Sequence, residues 1–119
     1  MKVLVAGGRE VTVDFFTLDE ALKSYKQGRN ETNFVIVTGG ARGIDTIGKK
    51  WAKARGYKSR LYPADWKKYG KRAGYLRNVE MADSGLDFAI IVWDGQSSGT
   101  EMMRDLLVDR QIPHVVIAR

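Results

Sequence analysis

The chain has 119 residues, 44% of them hydrophobic, with no cysteine and one histidine, His114. That size and apolar share predict one domain over residues 1–119, whereas the missing thiols exclude disulfides and thiolate–metal sites, and a lone imidazole leaves no ligand cluster for zinc. A net charge of +6 raises nucleic acid as a partner, yet no apolar run reaches the ~18 residues of a membrane span and no charged, apolar leader precedes the first strand, so the expected setting is cytoplasmic, with no membrane contact, no cofactor and no bound metal.

Five short runs read as strands: Lys2 to Ala6, Asn33 to Thr38, Lys58 to Tyr62, Phe88 to Trp93 and His114 to Ala118. Their Val and Ile content, without alternation, suits strands buried on both faces of a parallel sheet. Helical patterns fill the gaps. Thr17-Leu-Asp-Glu20 reads as a capping box ahead of an apolar face of Leu18, Ala21, Leu22 and Tyr25, with Gly28 as the stop. Ile44, Ile47, Gly48, Trp51 and Ala52 share the face of a second helix that Gly56 ends. A third is expected from about Lys71 to Asp83 with Tyr75, Leu76, Val79 and Ala82 inward, and a fourth after Gly99 with Met102, Met103, Leu106 and Leu107 inward, stopped by Pro113. Strands alternating with helices predict right-handed crossovers and a doubly wound three-layer α/β sandwich, mostly parallel, of order 3-2-1-4-5 with helices on both faces. Ligands bind such sheets at the carboxyl ends of the strands, where the order reverses.

Three strands run into glycine-bearing loops, a device that gathers backbone N–H groups and the positive end of a helix dipole where an anion can bind. The first loop carries Gly7, Gly8 and Arg9, the second Gly39, Gly40, Ala41, Arg42 and Gly43, the third Gly95 followed by Ser97, Ser98, Gly99 and Thr100. The predicted strand order brings all three to one crevice. The second loop is neither GxGxxG nor the P-loop pattern, and glycines also serve plain turns. Gly43 enters the second helix where a side chain would obstruct a phosphate. Asp45 either complements the dipole or accepts a ribose hydroxyl. Ser97, Ser98 and Thr100 are good helix caps whose hydroxyls also suit a phosphate.

Arg77 offers a guanidinium that matches phosphate, and Asn78 beside it is a mediocre helix residue that needs a reason. Glu80 and Glu101 are the candidate carboxylates for any catalysis. Trp51 reads as core, while Trp66 and Trp93 lie in or near loops where an indole could stack on a base. Between Lys49 and Arg77 the chain is densely basic, with Asp65 as the sole acid; this is either a solvated face or a positive field for a polyanion.

Val-Ala-Gly-Gly-Arg9, Val-Thr-Gly-Gly-Ala-Arg-Gly-Ile-Asp45, Tyr62-Pro-Ala-Asp-Trp66, Tyr69-Gly70, Ala73-Gly74, Arg77-Asn78, Glu80-Met81 and the Gly95 to Thr100 loop together resemble the YspA-type branch of the SLOG superfamily, over nearly the whole chain. The resemblance implies a Rossmann-like fold and the binding of a nucleotide or nucleotide-derived signal, such as a cyclic nucleotide or an ADP-ribose derivative, by a homo-oligomer that senses or sequesters it. More distant likenesses are to DNA-processing protein A and to the LONELY GUY phosphoribohydrolases. Those hydrolases carry Pro-Gly-Gly-x-Gly-Thr-x-x-Glu with a catalytic glutamate, and Met103 stands at the corresponding position here. Binding without turnover is therefore the expectation, N-glycosidic hydrolysis the alternative and nucleic-acid binding the third reading.

Overall fold

The computed structural model describes residues 1–26 and 33–119, so the predicted stop at Gly28 lies outside the described residues. Among those described, β1 (Lys2–Gly7), β2 (Val35–Thr38), β3 (Lys58–Leu61), β4 (Phe88–Trp93) and β5 (His114–Ala118) form one sheet of order β3-β2-β1-β4-β5. All four pairings are parallel, with Val3 opposite Ile36 on one side and Phe88 on the other. This is the predicted order.

The two-residue period of β1 builds two cores. Val3 and Val5 face the layer of α1 (Phe15–Lys26) and α2 (Ile44–Arg55), where Leu18, Leu22, Ile44 and Trp51 are buried. Leu4 and Ala6 face the opposite layer, formed by α4 (Ala73–Ala82) and α5 (Ser98–Asp109), against Met81, Met103 and Leu107. Both faces of the central strands are thus dry, which is why β1 and β4 read as unbroken apolar runs.

Three local expectations are corrected. β3 is exposed along its whole length, because it is an edge strand with only β2 beside it; Lys58 and Arg60 on this edge discourage pairing with another chain. α1 starts before the expected capping box: the Asp14 carboxylate accepts the Thr17 amide at 2.7 Å, so Asp14 is the cap and Thr17 lies inside the helix. The third predicted helix, about Lys71 to Asp83, stands as α4 (Ala73–Ala82), preceded by short turns that its spacing does not announce. A single turn, α3 (Trp66–Tyr69), capped by Asp65 through the Lys68 amide at 3.0 Å, stops at Gly70 with φ 57°, and a 3₁₀ turn over Gly70–Arg72 leads into α4. α4 is also rotated from its expected face: Ala73, Asn78, Met81 and Ala82 are buried, while Tyr75 is 49% exposed.

Candidate functional site

The loops at the carboxyl ends of β1, β2 and β4 meet through their own backbones. The Gly8 amide donates to Val92 O at 3.2 Å, and Gly8 O accepts the Ile44 amide, also at 3.2 Å, so the first residue of α2 is tied to the loop after β1. Glycine is required here by close approach. A Cβ on Gly7 would lie 2.2 Å from Val92 O, and one on Gly43, where φ is 79°, would lie 2.5 Å from Gly8 O and 2.7 Å from Arg9 Cα. The side chain excluded at Gly43 would strike the first loop, not an approaching phosphate.

Asp45, in the first turn of α2, is buried and folds back onto the glycine turn, accepting the Ala41 amide at 3.0 Å. Burial pushes its carboxyl above the ordinary value, against the opposing pull of the Ala41 and Gly39 amides and the charges of Arg77 and Arg9. The amides that the sequence marks as a phosphate cradle are therefore held by a carboxylate of the protein itself.

Arg77 reaches the same turn from α4. Its Nη1 donates to Gly39 O, and its Nε donates to Asn78 Oδ1 at 2.9 Å. Asn78 is buried, which gives this poor helix former its reason: it orients the guanidinium beside it. Burial lowers the pKa of Arg77, with Asp45 acting in the opposite direction and Arg9 adding to the lowering. A half-buried cation of this kind gains from an added anion more than a fully solvated one does.

At the third loop, Asp94 Oδ1 accepts the Gln96 and Ser97 amides at 2.8 and 2.9 Å, which holds its carboxyl below the usual range. Ser97 caps α5, its hydroxyl accepting the Thr100 amide at 3.4 Å and the Thr100 hydroxyl at 3.0 Å. The Trp93 indole donates to Ser97 O at 3.0 Å, with the Arg104 guanidinium 4.8 Å from its ring centroid. Trp93 thus braces the loop from outside the cavity. The Ser98 and Gly99 amides have no acceptor among the described residues, as expected of a helix first turn.

These parts enclose a cavity of about 610 Å³, reached by Gly7, Gly8, Arg9, Ala41, Asp45, Arg77, Asn78 and the Ser97 to Thr100 turn. Gly39, Gly40 and Arg42 line an adjoining cavity of about 380 Å³. Gly43 and Gly95 line neither. Glu80 and Glu101 are exposed and also lie outside both, while Met103 lines the larger. Sequence reasoning missed Lys71, Tyr75 and Asp94 on the larger cavity. The spacing of Lys71, Tyr75 and Asn78, near one another on a helical face, was the available clue to the first two.

The basic residues between Lys49 and Arg77 are spread over the outer face of α2, the free edge of β3 and α3, and most are exposed. Among the described residues no helix is long and apolar enough to cross a membrane, and no group of His, Asp or Glu side chains converges as a metal site.

A parallel doubly wound sheet with its concave site at the carboxyl ends of β1 and β4, where the strand order reverses, defines a Rossmann-like α/β domain. A family model described as the YspA, cpYpsA-related SLOG family matches residues 1–69, and the chain belongs to that family. The match spans the first two loops and ends before Arg77 and the third. The chain is also 39% identical over 104 residues, 83% of its length and 82% of the relative's, to the Gene 61 protein of Mycobacterium phage D29. No solved structure matches significantly.

Proposed function

We propose that the chain binds a nucleotide or a nucleotide-derived signalling molecule in the larger cavity, as the nucleotide-related character of its family suggests. The observation that carries the reading is the convergence of the uncommitted Ser98 and Gly99 amides with Arg9, Lys71 and Arg77 on one concavity. A phosphate there would meet a helix N-terminus and fixed guanidinium charge together. Its volume falls within the ~300–1,000 Å³ usual for small-molecule sites. Similarity to a phage protein supports sequestration of a host signal as the role of such binding.

Hydrolysis of an N-glycosidic bond is the weaker reading. It needs a carboxylate at the reacting centre, and the two glutamates expected to supply one are outside the cavity. Asp45, Asp94 and Glu10 are on the wall, but Asp45 holds the Ala41 turn, Asp94 the Gln96 and Ser97 amides, and Glu10 pairs with Arg42.

The test is thermal unfolding of the purified protein with a panel of nucleoside monophosphates, cyclic nucleotides and ADP-ribose derivatives, with mass spectrometry of small molecules released on heating. A ligand at a hundred times its Kd should add about 2.7 kcal/mol. A panel that leaves the melting temperature unmoved, with nothing released, would overturn the proposal; free base appearing on incubation would favour the hydrolase.

A further inference from the structure

The smaller cavity is not an isolated dimple. It shares Arg9, Ala41, Trp66 and Arg77 with the larger one, so the two are lobes of one groove with two guanidinium side chains at the waist. Resting on the nucleotide reading above, we infer that the groove takes a phosphate-bridged dinucleotide, one nucleoside in each lobe, with the bridge at the waist.

The smaller lobe has the chemistry of a base slot. Its outer wall is Leu61, Pro63 and Ala64, at the end of a strand otherwise made of Lys58, Ser59 and Arg60. Leu61 is 50% exposed, an apolar side chain displayed in a basic surface where solvation favours charge. Its Cδ1 lies 2.7 Å from where a Cβ on Gly40 would stand, so the side chain rests on bare backbone. Between the lobes stands Trp66, 53% exposed, with its ring seated 3.4 Å from the Cβ position of Gly74. An exposed indole beside a residue with no side chain offers a face on which a base can stack.

The charge arrangement points to the same class. A mononucleotide phosphate would be served by the Ser98 and Gly99 amides inside the larger lobe. Arg9 and Arg77 lie on both lobes and each acts electrostatically on Asp45. They are suited to a second phosphate joined to the first, and the bridge then carries a second nucleoside toward Leu61.

The experiment is calorimetric titration of the intact protein with AMP and GMP and with phosphate-bridged dinucleotides: diadenosine diphosphate, NAD⁺ and the cyclic dinucleotides of adenine and guanine. At least one dinucleotide should bind tenfold or more tighter than either mononucleotide. Leu61→Glu, on an exposed edge position, should keep wild-type mononucleotide affinity and lose that gain, whereas Trp66→Ala should weaken both kinds of ligand. If mononucleotides bind and no dinucleotide gains tenfold, or if Leu61→Glu leaves the gain intact, this inference falls and the nucleotide reading stands. If no nucleotide of either kind binds, both fall.

Discussion

Gly43→Val separates what the glycine loops do for the fold from what they do for a ligand. At φ 79° a Cβ would lie 2.5 Å from Gly8 O, 2.7 Å from Arg9 Cα and 2.8 Å from Arg9 O, all of them backbone atoms that cannot rotate away. The left-handed conformation costs an L-residue roughly 1–2 kcal/mol, more for a β-branched one, and relieving the overlap adds about 1–3 kcal/mol. A loss of about 3 kcal/mol should lower the melting temperature of a domain this size by roughly 10 °C. Gly99 is the contrasting position: its φ is not positive, a Cβ there meets nothing within 4 Å, and it lines the larger cavity. Gly99→Asp should hold or raise the stability of the free protein by about 0.3–1 kcal/mol, because an acid in the first helical turn complements the dipole. The same carboxylate should abolish stabilisation by any phosphate ligand. Thermal and urea unfolding of both variants, with and without nucleotide, provide the readout. An unchanged midpoint for Gly43→Val, or full ligand stabilisation in Gly99→Asp, would refute the division of labour argued from these contacts.

Asp19→Ala should cost about 1–3 kcal/mol in urea unfolding, because the fully buried Trp51 indole, which donates to Asp19 Oδ1 at 2.8 Å, is left without its acceptor; wild-type stability would show that water or another acceptor replaces it. Asp45 titrates above the ordinary 3.8 when folded, so it takes up its proton more readily folded than unfolded and its contribution to stability grows as pH falls through the raised value, complete below 3.8. Relative to Asp45→Asn, the wild type should therefore gain stability between neutral pH and pH 4, and a flat or reversed difference over that window contradicts the burial argument. The lowered carboxyls of Asp14, Asp19, Asp83 and Asp94 act in the opposite sense, since the stability they lend is lost only as pH falls below 3.8. Duplex DNA should bind weakly and with a steep log–log salt dependence, because the exposed lysines and arginines are spread over α2, β3 and α3; submicromolar affinity at physiological salt would restore the nucleic-acid reading.

The order of the sheet was legible in the sequence because apolar runs alternating with helical patterns leave few topologies once crossovers are right-handed, and convergence of the three loops follows from that order. Gly56 as the stop of α2, with φ 74°, and the Ser97 cap of α5 were legible too, since caps depend on residues within one turn of each other. Local spacing misplaced Tyr75, because the face of α4 is set by what packs beneath it, Met81 and Ala82 in the core. The occupancy of the glycine turn by Asp45, and the division of one groove into two lobes, were decided by tertiary structure. Arg77 meets Gly39 across 38 residues of chain. No periodicity spans such a separation; only the packing of α4 against the sheet brings guanidinium, carboxylate and glycine turn together.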